Sequence, residues 1–421
     1  MDREQMVLGK YSIGIGDRFG LEGRAQLRAL KAALNEGIEL TPVWNKSNRE
    51  HSLVGTEPSS TRQAADEAAR EEGWNRSYFV DADHVGLKTV DRFIEACDFF
   101  TLDVADFIGK QASDDDVQSF VDSVSPAIGR LQHPDLDGSL AVTAADLHRF
   151  AGHYLVAVRE AGKIFAYLKG AKGTRPFVTE VSVDEATEPQ TPVELYLLLA
   201  GLAGEGVAVQ TIAPKFCGKF LKGVDYVGDV TAFGREFKDD VAIVSLATTK
   251  FALPENLKLS IHSGSDKFSL YPLMNAVLAK TEAGIHLKTA GTTWLEEVSG
   301  LAAEEEGLGI AKKIYAQAYD RIEELRKPYE TVVEIEMNKL PSPAAVMRWS
   351  AEEFIAALRH NQRDPRFNRD FRQLVHIAFR VAAEMGDKFK QGMLKSRTSI
   401  EQHVVENLFV KHIQPLFPKT I

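Results

Sequence analysis

Eight times along the chain a short apolar or β-branched run gives way to a longer stretch of helical period. This is the pattern of repeated strand–helix–strand units around a parallel sheet. The runs are Tyr11–Ile15, Glu39–Trp44, Tyr78–Asp81, Phe99–Asp103, Phe177–Val181, Val207–Ile212, Leu257–His262 and Ile285–Thr289. Eight parallel strands are the number that closes a barrel, so the expected fold class is α/β, a (β/α)8 TIM-like barrel. With 421 residues, 44% of them hydrophobic, the chain can bury one large core and carry an appendage.

The intervening segments read as amphipathic helices. In the first, Leu27, Leu30 and Leu34 share one face and Gly37 follows as a C-cap. The second is expected from about Thr61, with Ser59 and Ser60 as N-cap candidates, to Gly73. The apolar run Val241–Leu246 lies inside a long stretch, Glu236–Leu253, without flanking turn residues, and is read as helix. Between the fourth and fifth runs the chain spends far more residues than a crossover needs, so a helical insertion is expected over residues 107–170. After the eighth run, prolines at 328, 341 and 343 break an otherwise helical pattern. The division expected is a catalytic barrel over 1–328 and a C-terminal helical subdomain over 329–421.

A formal charge of -10 argues against nucleic acid as a partner, because backbone binding needs clustered Lys and Arg to displace counterions. Cys97 and Cys217 are too few for a disulfide framework or an all-thiolate zinc site. The charged segment Met1–Lys10 lacks the apolar stretch of a signal peptide, and no later run is long enough to span a bilayer. A cytoplasmic protein without a membrane partner is expected; a homo-oligomer is compatible with everything read so far.

A parallel barrel carries its active site on the loops that follow the strands. Those positions hold Asp17 and Arg18; Asn45 and Lys46; Asp81, Asp83 and His84; Asp103 and Asp106; Glu180 and Asp184; Lys215; His262, Ser263, Asp266 and Lys267; then His286 and Lys288. Glu180, His262 and His286 form the sharpest set, since two imidazoles and a carboxylate from different strand ends can bind a divalent ion facially and leave positions for substrate. The competing account makes either histidine a hydrogen-bonded interior residue. Zinc is the first expectation, with manganese, nickel and iron as alternatives.

The run Tyr78-Phe79-Val80-Asp81-Ala82-Asp83-His84 crowds two carboxylates at one strand end, where at least one should titrate abnormally or meet a cation. General acid/base work is the functional reading, with Asp83 as the base and Asp81 as its alternative; helix capping accounts for one of the two equally well. Lys46, Lys215, Lys267 and Lys288 would together make the mouth positive and suited to a carboxylate or phosphate ligand, although each alone is as well explained as a surface lysine. Arg18 and Ser263 complete the expected substrate-binding set. The glycines at 14, 16 and 20 do not match a dinucleotide fingerprint, because the last comes one place late and the second run lacks the acidic residue that would hold a ribose. His376, in an amphipathic helix, reads as a packing residue that reaches the mouth only if the C-terminal helices fold over it.

The segments Lys10–Phe19, Thr41–Asn48, Tyr78–His84, Ser260–Phe268, His286–Thr292 and His376–Gly386 together resemble the tagaturonate/fructuronate epimerase family. The resemblance runs over most of the chain and is weakest over Gly109–Gly138. It implies interconversion of D-tagaturonate and D-fructuronate, with relatives acting on fructose and tagatose at the same carbon, and a divalent metal requirement. The inverted C4 is β to the C2 ketone, so deprotonation beside the carbonyl cannot invert it. A retro-aldol cleavage of C3–C4 followed by re-addition can, with Glu180, His262 and His286 holding the Lewis acid, Asp83 or Asp81 as base, and Lys267, Lys288 or Arg18 on the carboxylate. The competing readings are a metal-dependent aldose–ketose isomerase or class II aldolase, a ketohexose 4-epimerase, and a sugar-acid binding protein without catalysis.

Overall fold

In the computed structural model, which describes residues 7–136, 138–289 and 291–420, the eight expected runs become the strands of one closed parallel barrel. In chain order the strands are β1 (Tyr11–Gly14), β2 (Thr41–Ser47), β3 (Phe79–Val85), β4 (Phe99–Asp103), β5 (Gly129–Leu131), β6 (Leu140–Val142), β7 (Val178–Ser182), β8 (Thr211–Ala213), β9 (Lys258–His262) and β10 (Ile285–Lys288). The barrel runs β1-β10-β9-β8-β7-β4-β3-β2, while β5 and β6 pair with each other as a separate antiparallel sheet. The first six residues of the charged N-terminus, and Ala290 within one of the quoted segments, lie outside the described residues.

The barrel strands are nearly continuous in apolar or buried side chains because helices cover their outer faces. The first helix, Gly23–Asn35, buries Leu27 and Leu30, and Gly37 follows it at φ 84°. The long stretch around Val241–Leu246 is helix, over Val230–Lys250. The second helix starts earlier than expected: it spans Pro58–Glu71 with Pro58 in its first turn, so Ser59 and Ser60 lie inside it rather than before it. Proline's fixed φ and missing N–H suit that first turn. A short helix also intervenes at Asn48–Val54, started by a reciprocal capping box between Ser47 and Glu50.

The insertion between β4 and β7 holds a helix at Asp114–Val124, the β5–β6 hairpin and a 29-residue helix at Ala144–Lys172. The hairpin was not anticipated, since its two strands are only three residues each and lack any alternating apolar pattern. After β10, helices Thr292–Ala302 and Glu305–Asp320 pack beside the barrel, and Arg397–Val405 lies against Thr292–Ala302 and Gly23–Asn35. Phe371, Leu374 and Val375 of helix Arg369–Ile377 join the same apolar core as barrel residues Ile13, Ile261 and Leu287. No helix among the described residues is long and apolar enough to cross a membrane.

Candidate active site

Barrel register decides which strand-end side chains meet. Lys288 lies beside His262 and Gly14 in the ladder, and His286 beside Ser260 and Ser12, one inward layer deeper. Lys288 therefore projects across the mouth. Its ammonium stands 2.8 Å from carboxylate oxygens of Asp81, Asp83 and Glu180 and 2.5 Å from the Thr101 hydroxyl oxygen. Thr211 donates to the other Glu180 oxygen at 2.8 Å. All of these groups are buried.

One cation among three carboxylates splits their proton affinities. Burial pushes the Asp81 carboxyl up, Lys288 pulls it down and its acidic neighbours raise it further, leaving it at about 7. Burial also works against ionisation at Asp83, yet Lys288 and His84 outweigh it and hold this group below the ordinary carboxylate range. Glu180 is likewise held low, by Lys288 and His262 against the cost of burial. Lys288 itself stays firmly protonated, because the three acids overcome its desolvation.

Next to this cluster His262 is held at both ring nitrogens, by Asp184 at 3.1 Å and Glu180 at 2.9 Å. The His84 ring meets the His262 ring edge-on with centroids 5.2 Å apart. His84 takes a left-handed φ of 55°, a strained conformation for a non-glycine residue, and its Nδ1 lies 3.6 Å from Asp103 without forming a hydrogen bond. Ligand atoms of His84, Asp184 and His262 all lie within 4.8 Å of one another. Two imidazoles and a carboxylate with a buried, unpartnered ring nitrogen fit a divalent ion of the zinc, manganese or iron class.

Of the three ligands expected from sequence, the structure joins Glu180 and His262. His286 lies in the deeper layer, its Nδ1 bonded to the Ser12 hydroxyl at 2.9 Å and its ring 5.4 Å from that of Phe99 across the barrel. Its Nε2 makes no hydrogen bond among the described residues, and burial lowers its pKa to about 3, so it is a neutral imidazole. His84 and Asp184 stood in the strand-end series but outside the ligand set. Sequence spacing carries no mark of their meeting with His262, which barrel closure alone brings about.

The expected substrate-binding residues fall into distinct environments. Lys288 is committed to the acidic cluster. Lys267 is wholly buried and donates to the carbonyls of Leu221, Val224 and Asp266 at 3.0, 2.8 and 3.4 Å. Lys46 donates to the Arg18 carbonyl at 2.7 Å, and Ser263 to the Lys288 carbonyl at 2.7 Å. Lys215 caps the Ala186 carbonyl. Arg18 is buried at the mouth, 3.4 Å from Glu50 and with its guanidinium 3.7 Å from the Phe379 ring. His376, read as packing, is brought to the mouth by helix Arg369–Ile377, and Lys222, in the loop after β8, joins it there.

A cavity of about 810 Å³ opens at the opposite end of the barrel, bordered by Thr41, Arg62, Asp98, Lys172 and Arg175. Its charges are internally matched: Arg62 pairs with Asp98 at 2.5 Å and Arg175 with Glu95 at 2.7 Å. The buried acids, imidazoles and Lys288 gather at the strand C-termini instead, the end where a parallel barrel carries its functional loops.

Comparison with known proteins shows what this chain resembles. The UxaE family, described as tagaturonate epimerase, matches residues 4–416. A tagaturonate/fructuronate epimerase of Thermotoga maritima is 30% identical over 422 residues, spanning 96% of this chain and 79% of that protein. A glycerol-complexed crystal structure of the fructuronate-tagaturonate epimerase of Cohnella laeviribosi superposes with a TM-score of 0.79 at 27% identity, over 96% of this chain and 81% of that one. A second, with two glycerols, gives 0.80 at 27% identity over 97% and 82%.

Proposed function

The chain belongs to the tagaturonate epimerase family, and from that premise we propose that it interconverts D-tagaturonate and D-fructuronate by inverting C4 through cleavage and re-formation of the C3–C4 bond. The observation that carries this reading is the Lys288 cluster, in which an ionised Asp83 faces the mouth beside a more basic Asp81. Two carboxylates with separated proton affinities are what a reversible proton transfer needs.

His84, Asp184 and His262 are the residues that would hold a divalent ion, with Glu180 2.9 Å from His262 as the carboxylate shared with the set expected from sequence. Such an ion, when bound, supplies Lewis-acid polarisation of the C2 ketone.

Asp83 accepts the proton of the C4 hydroxyl. The C4–O electrons become a carbonyl, the C3–C4 bond breaks, and its electron pair moves into C2–C3 to give an enediolate. The C4 fragment is an aldehyde that turns its other face, the enediolate carbon adds to it, and Asp83 returns the proton to the new C4 alkoxide. Lys288 keeps Asp83 ionised and lowers the cost of the negative charge that crosses the cluster. Asp81 and Glu180 hold the ammonium in place between them.

Incubation of D-tagaturonate with the protein, followed by carbon NMR, tests the reading. Inversion at C4 with the carbonyl still at C2 is expected. A carbonyl that moves to C1 would make it an aldose–ketose isomerase, and net accumulation of three-carbon fragments an aldolase.

A further inference from the structure

Four elements converge beside the acidic cluster: the loops after β1, β8 and β10, which carry Arg18, Lys222 and Gly291, and helix Arg369–Ile377, which carries His376. A Cβ on Gly291 would fall 2.2 Å from His376 Nε2 and 3.1 Å from Arg18 Nη2, so both side chains lean over the same stretch of backbone. Gly223, next to Lys222, would meet His376 Cβ at 3.4 Å. The helix is tied to that loop: Arg372 donates to the Gly223 carbonyl at 2.6 Å and Gln373 to the Lys222 carbonyl at 2.9 Å.

Several of the nitrogens gathered here lack hydrogen-bond partners among the described residues. Nε and Nη1 of Arg18 and both ring nitrogens of His376 are buried and make no hydrogen bond among the described residues. Glu50 lies 3.4 Å from Arg18 Nε, the buried Glu297 is within electrostatic reach of Arg18, and Glu50 and Glu185 act on Lys222. Burial first, then the charges of Arg18, Lys222, Arg372 and Lys267, hold His376 far below the ordinary imidazole range. Buried donors without partners are costly, and a positive field around them favours an anion.

The cluster also lies in line with the reaction centre. A Cβ on Gly14 would meet Lys288 Cγ at 2.9 Å and Asn45 Oδ1 at 3.3 Å, and Lys46, the next residue, donates to the Arg18 carbonyl at 2.7 Å. The side-chain oxygen and nitrogen of Asn45 have no hydrogen-bond partner among the described residues and suit a hydroxyl lying between the two ends.

We infer that Arg18, Lys222 and His376 form the clamp for the substrate's carboxylate, and that the C-terminal helix thereby completes a substrate site that the barrel alone leaves open. The inference rests on the hexuronate reading above. It gives the clamp a further task, because C3–C4 cleavage leaves the carboxylate on the departing aldehyde. Arg18 offers a planar fork, Lys222 a point charge and His376 a ring donor, so the carboxylate end stays fixed while the aldehyde face turns.

Equilibrium titration of D-fructuronate and D-fructose into the intact chain tests the clamp, using wild type, Lys222→Met, His376→Asn and Asp83→Asn. Wild type is expected to bind the uronate at least ten-fold more tightly than the neutral ketose. Lys222→Met and His376→Asn are each expected to weaken D-fructuronate at least ten-fold, while Asp83→Asn binds it nearly as wild type does. Lys222 is half-buried, so its variant should keep the ligand-free melting temperature and separate lost binding from lost folding. Unchanged D-fructuronate affinity in Lys222→Met, or a wild type without preference for the uronate, overturns the clamp. A wild type that binds D-fructuronate through these residues yet leaves C4 uninverted sinks the epimerase reading and leaves the clamp standing.

Discussion

Arg372 donates to Asp266 at 2.6 Å, and both side chains are completely buried between the C-terminal helices and the barrel. Asp266 follows β9, and it also accepts from His360 at 3.1 Å and stands 3.3 Å from His412, which lies in a π-helical turn over Glu406–Ile413. Arg372 also donates to the carbonyls of Gly223 and Leu358. One barrel carboxylate thus gathers three separate parts of the C-terminal chain and sets the height at which His376 crosses the mouth.

Removing one partner of such a pair leaves a buried, uncompensated charge. Asp266→Ala is therefore expected to lower unfolding free energy by about 3–5 kcal/mol, measured by denaturant titration. Combining it with Arg372→Ala should recover part of that loss. A change within about 0.5 kcal/mol, the range of ordinary surface substitutions, would show that the pair does not anchor these helices.

Asp83→Asn keeps the shape of the mouth but cannot accept a proton. We expect kcat for D-tagaturonate to fall roughly 10²–10⁴-fold with little change in substrate affinity. Asp81→Asn should cost less, since Asp81 stands behind Lys288; a larger loss there than at Asp83 would exchange the two roles.

Elemental analysis of purified variants separates the two candidate ligand sets. His84→Ala and Asp184→Ala are expected to retain far less divalent metal than wild type, whereas His286→Ala, whose ring is bonded to Ser12, should retain it. Exhaustive chelation should abolish turnover and add-back restore it. Full activity in a metal-free sample would end the Lewis-acid reading.

Glu22 supplies a pH test away from the metal candidates. Burial, then the charges of Asp17 and Glu401, raise its pKa from 4.5 to about 8. Between those values the folded state holds a proton that the unfolded chain has released, so this group lowers stability as pH rises from about 4.5 to 8. Glu22→Gln removes the ionisation, and its advantage over wild type should be absent near pH 4, grow through that window and level off above it. An advantage that does not change with pH would assign the effect to packing instead.

The features that were legible in the sequence are those written locally. The eight runs from Tyr11–Ile15 to Ile285–Thr289 are marked by apolar content and by the helical period between them, and each became a barrel strand. The same runs end in polar residues because a parallel barrel opens at its strand C-termini, so Asp81, Asp83, Glu180, His262 and Lys288 could be singled out from one dimension. Short elements without a period, such as the β5–β6 hairpin and the helix at Asn48–Val54, left no comparable trace.

What the sequence by itself determined is therefore the architecture and the residues that stand at the strand ends, since both follow from periodicity and chain order; Lys222 was not among the residues it singled out. Tertiary structure alone decided which of those residues touch. Closure of the barrel sets which strand ends stand side by side, bringing His84 and Asp184 to His262 and leaving His286 bonded to Ser12. It also decided the fate of His376, because nothing in an amphipathic helix records what will lie against it. The buried contact of Arg372 with Asp266, more than a hundred residues apart in the chain, and the bonds of Arg372 and Gln373 to the loop after β8 carry that helix over the site.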